Sequence, residues 1–319
     1  MRRWPEKYLS KRVHLPVMAG EVVGLLKNCP SGVFIDATIA EGGHTLAVYD
    51  AYGDHFRYFG FDLNSRVLDF ARKEFDSVCL DAELVKLNFS EIALFLQRRE
   101  IDSISAVLFD LGTSSYQIEK PGQGFSYLKD GPLNLSFNDD EKMAAANLIE
   151  NLSEKELTDV IRLYGQEVKA KRLAQAMKSS PKKIKTTAQL SGVIRSVVGD
   201  RYFVKTAARV FQALRIKVND ELGNIQKSLE SIIPILVTGG RVIVISYHSL
   251  EDGLVKKIFK KYSGRCVCPS NVLECRCGKQ KLVRPVHSKP LYPSRVEVAR
   301  NPRARSAKLR VVEKVAFTS

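Results

Sequence analysis

Long apolar runs are missing from this sequence. Stretches such as Ile232 to Val237 and Val242 to Ile245 are far too short to cross a bilayer, which argues against a membrane-spanning protein. The opening MRRWPEKYLSKRVHLPVM is basic but lacks the apolar run and small-residue cleavage site of a secretion signal, so a soluble, cytoplasmic protein is expected. No internal repeat or low-complexity tract is present, which excludes a solenoid or a disordered linker. Cysteine is sparse, at six in 319 residues. Cys29 and Cys79 stand alone within apolar-patterned segments and are expected to be small buried hydrophobes. The other four, Cys266, Cys268, Cys275 and Cys277, cluster as CxC pairs. Without an export signal they read as reduced thiols rather than disulfides, and no metal is assigned to them. A tetrahedral Zn²⁺ is the alternative, although CxC is tighter than the usual CxxC knuckle.

Positive charge is plentiful but confined. Of the net +15, residues 168–217 carry +12 and residues 279–319 carry +9, so the remainder is acidic. Two basic segments on an acidic body look like a footprint for a polyanion, because neutralising phosphates releases counterions. A solvated basic face fits the charge alone equally well.

Short apolar runs alternate with helical patterns through the first third. Val33–Thr38, Arg57–Asp62, Ala82–Asn88 and Ala106–Leu111 read as strands, with helices from about His44, after Asn64, and over Phe89–Arg98. This rhythm predicts an α/β fold, a parallel sheet with helices on both faces. Residues 112–140, rich in Gly, Ser, Asp and Pro, read as a long functional loop. Capping boxes at Ser153/Glu156 and Thr186/Gln189 then open helices. A helix is expected over Asn219–Leu236, a strand over Arg241–Ser246, a helix over Glu251–Tyr262 capped by Ser249 with Asp252, and a closing strand over Ala307–Glu313. The expected organisation is a sheet domain in two parts, 1–119 and 218–319, around a helical, substrate-recognising insert at 120–217.

The strongest local feature is Asp36-Ala-Thr-Ile-Ala-Glu-Gly-Gly-His44 after the first strand. Its glycines permit a sharp turn and close backbone approach at the carboxyl end of the sheet. Asp62, nineteen residues past Gly43, ends the second strand and suits two ribose hydroxyls. That pairing serves NAD and S-adenosylmethionine enzymes alike. The absence of GxGxxG removes the pyrophosphate cradle and favours the latter. Asp110 ends the fourth strand before a Gly/Ser turn, where cofactor and substrate meet in such sheets. The plainer readings are an ordinary strand–helix turn for Gly42-Gly43 and helix-capping carboxylates for Asp62 and Asp110.

Taken with HLPVM at 14–18, NFS at 88–90, DLGTSSYQ at 110–117, GFSY at 124–127, DGPL at 130–133, FQALRI at 211–216, GGRVIVISYHSLED at 239–252 and NPRARSAKLR at 301–310, the chain resembles the RsmH (MraW) family of bacterial small-subunit rRNA cytosine-N4 methyltransferases. The motifs span nearly its whole length, in family order. The resemblance implies a class I (Rossmann-like) methyltransferase sheet with a helical insert. It also implies S-adenosylmethionine contacts at Gly42, Gly43, His44, Asp62, Phe89, Asp110 and Gln117, and methylation of a cytosine N4 amine in the decoding region of 16S rRNA. The expected partners are small-subunit rRNA or the small ribosomal subunit and no membrane, and the sequence is compatible with a homodimer. Phe89 can stack on adenine, and Gln117 suits the methionine end. The loop departs from the family's GPLDMRMD, reading Gly131-Pro-Leu-Asn-Leu-Ser-Phe-Asn138, and Ala40 replaces a usual glycine. The alternative functions are a ribosome-assembly factor with weakened catalysis and a methyltransferase of another nucleic-acid amine.

A cytosine amine is a poor nucleophile, so catalysis needs positioning and an acceptor for the amine hydrogens. The Asn/Asp-Pro-Pro-Tyr loop of another amine methyltransferase branch is absent. The acceptors proposed on sequence are Asp110, the segment around Ser114-Ser115, and Asn134. Arg209, Arg215, His248, Arg303 and Arg305 are the expected substrate contacts, with arginine as the forked phosphate donor. A salt bridge from the insert explains Arg209 and Arg215 equally well.

Overall fold

The computed structural model of the chain describes residues 16–113, 124–269 and 274–316. It divides into two compact units, one made of residues 1–112 and 223–319 and the other of residues 113–222.

In the first unit, α1 (Ala19–Leu25) precedes β1 (Gly32–Asp36), α2 (Gly43–Tyr52), β2 (Phe56–Asp62), α3 (Ser65–Asp76), β3 (Ala82–Lys86), α4 (Ile92–Arg98) and β4 (Ile104–Asp110). The expected strands are all present. β4 buries every residue but its last, and β1 buries Phe34, Ile35 and Asp36, as strands covered on both faces must. Asn64 caps α3 by accepting from the Arg66 amide. The Phe89–Arg98 segment begins as a 3₁₀ turn at Phe89–Glu91 before α4. Cys29 is buried as expected, but Cys79 is exposed and has a positive φ of 57° in the turn after α3.

The second unit is helical: α5 (Ala144–Asn151), α6 (Glu154–Gly165), α7 (Ala170–Lys178), α8 (Thr187–Val198) and α9 (Asp200–Asn219). Both expected capping boxes form, Ser153 with Glu156 and Thr186 with Gln189. The apolar faces of these helices close on a core of Leu157, Ile161, Leu173, Leu190, Phe211 and Leu214. Leu133 and Leu135 from the preceding loop are buried in the same core.

Asn219 ends α9 instead of opening a helix. Asp220 takes a left-handed conformation (φ 46°), which breaks the chain before α10 (Glu221–Ile232). The sheet resumes with β5 (Leu236–Ser246), α11 (Ser249–Tyr262), β6 (Val283–Pro285), α12 (Arg295–Arg300) and β7 (Lys308–Lys314). The strand order is β3-β2-β1-β4-β5-β7-β6. The first five strands are parallel, as the strand–helix rhythm predicts, whereas the closing strand β7 runs antiparallel to β5 and β6. This is the expected Rossmann-like α/β sheet. Successive strands step outward from β1 in one direction and from β4 in the other. The carboxyl ends of β1 and β4 therefore flank a topological switch point, where ligands bind in open α/β sheets.

Candidate active site

Three acids end adjacent parallel strands at that edge: Asp36 on β1, Asp62 on β2 and Asp110 on β4. Asp36 is almost wholly buried and accepts from Thr45 Oγ1 at 2.9 Å and the Thr38 amide at 3.3 Å. Asp62 accepts from the amides of Ala40 (3.2 Å) and Asn64 (2.9 Å). Burial pushes both carboxyls up to about 6, against the hydrogen bonds that favour their charged forms.

The glycine turn between β1 and α2 is shaped as much by packing as by any ligand. Gly42 has φ 78°, and a Cβ there would lie 2.5 Å from the Phe75 ring of α3. A side chain is therefore excluded on two counts. Ala40 also has positive φ (44°), an αL backbone that costs a non-glycine residue about 1 kcal/mol.

Asp110 is held from two sides. Tyr247 donates its hydroxyl to Oδ1 at 2.7 Å, and His44 Nε2 lies 3.3 Å from Oδ2. The Asp110 amide donates to Thr38 Oγ1 at 2.7 Å, tying β4 to the β1 turn. The Asp110 side chain keeps 23% of its surface open, so the fixed carboxylate can still meet a ligand. Burial alone would lower the His44 pKa, but the bond to Asp110 and the charges of Asp110, Asp36 and Glu297 raise it on balance. Burial foremost, and then Asp110, lifts the Tyr247 phenol well above its ordinary value. His44 is thus part of the acid centre, while Gly42 takes the N-cap position of α2.

Tyr247 carries no catalytic signature of its own. Its partners show how the SYHSLED segment works. Glu251, buried in α11, accepts from the amides of Tyr247 (2.8 Å) and His248 (3.3 Å), and His248 Nδ1 accepts in turn from the Glu251 amide (3.3 Å). The capping box is therefore His248 with Glu251, not Ser249 with Asp252. It fixes the turn after β5 that puts the Tyr247 hydroxyl on Asp110. Asp252 pairs instead with Arg310 at 2.6 Å and Lys308 at 3.4 Å, so these two basic residues are internally engaged.

Other expected site residues are placed as follows. Phe89 is half-buried, with its ring edge-on to Phe109 at 5.8 Å and its carbonyl accepting from Ser228. Arg305 is exposed and Arg303 half-buried in the turn before β7. In the second unit, Arg209 Nη1 lies 3.2 Å from buried Glu167. Arg215 grips Glu221 with two bonds, Nε to Oε1 at 2.7 Å and Nη2 to Oε2 at 3.0 Å. Both arginines are thus engaged by carboxylates of their own unit. Asn134 donates Nδ2 to the Glu141 carbonyl and accepts from the Ala144 amide, both at 2.9 Å. Gln117 and Ser114-Ser115 lie outside the described residues.

The carboxyl edge suits one class of cofactor. Three closely set acids repel a phosphate but favour sugar hydroxyls, an ammonium and a sulfonium. His44 Nδ1, buried and without a partner among the described residues, leaves a further hydrogen-bonding atom at this edge.

A family model described as the MraW methylase family matches residues 11–315. The chain belongs to that family. It is 38% identical over 307 residues to the ribosomal RNA small subunit methyltransferase H of Halothermothrix orenii, covering 95% of this chain and 98% of that protein. The namesakes from Caldicellulosiruptor saccharolyticus and Geobacter sulfurreducens are each 39% identical, over 95% of this chain and 99% of theirs. Among solved structures, an rRNA methylase from Streptococcus thermophilus aligns over 96% of this chain and 99% of its own, with TM-score 0.43 and 10% identity.

Proposed function

We propose that this chain is an S-adenosylmethionine-dependent methyltransferase acting on the N4 amine of a cytosine in the decoding region of small-subunit rRNA, in the cytoplasm. The observation that carries the reading is the Asp110 carboxylate, fixed by Tyr247 and His44 at the switch point of the sheet. Family membership supports it, as do relatives named for rRNA small subunit methylation. No helix among the described residues is long and apolar enough to cross a membrane.

When bound, S-adenosylmethionine supplies a methyl group made electrophilic by its sulfonium. Asp62 would hold the ribose hydroxyls, Gly42 and Gly43 would let the backbone come close, and Phe89 would cover the adenine. Gln117 would serve the methionine end. Asp110 is the acceptor that holds the exocyclic amine and takes its proton. Its carboxylate cannot swing away, because each oxygen already has a fixed partner, and this preorganisation is the main catalytic contribution of the residues. Asn134 is a positioning residue, since one end of its amide holds the Glu141 carbonyl of the loop and the other the first amide of α5. Exposed cations of the insert, among them Lys171, Arg172 and Lys182, and Arg305 in the tail suit the RNA backbone.

Calorimetric titration of the purified protein with S-adenosylmethionine tests the reading. One site per chain is expected, and Asp62→Asn should weaken it at least about tenfold, the loss of a charge-assisted hydrogen bond. A wild-type protein that takes up no S-adenosylmethionine would instead be an RNA-binding scaffold.

A further inference from the structure

Beyond α11 the chain makes a loop that returns to β6 with almost no core of its own. Among the described residues of 263–280, none is buried. The base of this loop is nonetheless pinned. The Gly264 amide donates to the Gln280 carbonyl at 2.8 Å, the Gln280 amide to the Lys261 carbonyl at 3.0 Å, and the Arg265 amide to the Lys260 carbonyl at 3.1 Å. Small folded elements without a core need a covalent or metal staple.

The four clustered cysteines lie within this loop, all as free thiols. Their Sγ atoms all lie within 4.8 Å of one another. Two of the separations are 3.4 Å (Cys275 to Cys277) and 3.9 Å (Cys277 to Cys266). Four sulfurs placed tetrahedrally about one zinc ion, with Zn–S bonds of about 2.3 Å, stand about 3.8 Å apart. A disulfide would need about 2.05 Å. Backbone amides also converge on the sulfurs: Val267 on Cys277 (3.5 Å), Cys268 on Cys266 (3.4 Å) and Arg276 on Cys268 (3.4 Å). Amide donors to sulfur are the outer shell that supports metal-bound thiolates. Four thiolates so close would repel one another without a cation between them.

We infer that Cys266, Cys268, Cys275 and Cys277 form a structural zinc site that staples the loop between α11 and β6. The tight CxC spacing is accommodated because each pair brings one turn of backbone against the other's sulfurs. This site is separate from the acid centre, and its role is to hold the loop rather than to take part in methyl transfer.

Elemental analysis of the full-length protein, purified under reducing, oxygen-free conditions and loaded with Zn²⁺, tests this. One zinc per chain is expected. Replacement by Co²⁺ should give the visible absorption of a tetrahedral cobalt–thiolate site. The double variant Cys268→Ser/Cys277→Ser should lose at least about tenfold in zinc content while keeping the far-ultraviolet dichroism of the wild type. The inference is overturned if the wild type holds no zinc, if its four thiols react with a disulfide reagent equally fast with and without Zn²⁺, or if iron is the bound metal. Equal zinc in the double variant would also overturn it.

Discussion

Asp62 combines burial, which favours its protonated form, with a role that requires its charged form. In the fold its carboxyl titrates near 6, above the ordinary value of 3.8, because burial outweighs the amides of Ala40 and Asn64. A raised carboxyl pKa contributes stability below the unfolded value, and that contribution is lost as pH rises through about 6. Cofactor binding runs the other way, since sugar hydroxyls donate best to a carboxylate. Affinity for S-adenosylmethionine should therefore be about tenfold weaker at pH 5 than at pH 7.5. Asp62→Asn should flatten that profile. Equal wild-type affinity at both pH values would contradict the assignment. At this scale the acids were legible, because strand-end carboxylates announce themselves in sequence. Tyr247 was not. It lies one residue past β5, and only the His248–Glu251 turn gives its hydroxyl a direction.

The loop before α5 shows how one element is held by another. Gly124 has φ 74°, and a Cβ there would meet the Pro132 carbonyl at 2.0 Å, so this crossing needs glycine. The Leu133 amide donates to the Lys185 carbonyl and the Thr187 amide to the Gly131 carbonyl, joining the loop to the start of α8. The first amides of α5 are then satisfied by this loop rather than by a local cap. Ala144 donates to the Asn134 side chain, Ala145 to the Asn134 carbonyl and Ala146 to the Leu133 carbonyl. Asn134→Ala should cost about 1–2 kcal/mol, read as a lowered melting temperature. Asn134→Asp should recover part of this, because it keeps the acceptor for Ala144 at a helix N-terminus. An unchanged melting temperature in the alanine variant, with turnover reduced, would restore the acceptor role that sequence alone suggests for Asn134. Sequence could not separate the two roles, because an amide that holds a distant helix end looks the same as one facing a substrate.

Across the whole chain, local pattern and long-range geometry were not equally legible. The four strands of the first third and both capping boxes of the insert follow from apolar runs and Ser/Thr spacing. The direction of β7 has no local signal, and the three residues of β6 are too few to show a period. The charge pattern likewise gave basic segments but not their partners: a salt bridge was open for Arg209 and Arg215, yet nothing local named Glu167 and Glu221, or Asp252 for Lys308 and Arg310. Mass mapping of small-subunit rRNA tests whether Asp110 presents a cytosine amine for methylation. The RNA should be taken from cells lacking this protein and supplied with either the wild type or Asp110→Asn. A decoding-region cytosine should gain one N4 methyl with the wild type and about a hundredfold less with the variant, the usual scale for losing a preorganised polar group. Full methylation by Asp110→Asn, or a cytosine modified equally without the protein, would contradict that role for Asp110.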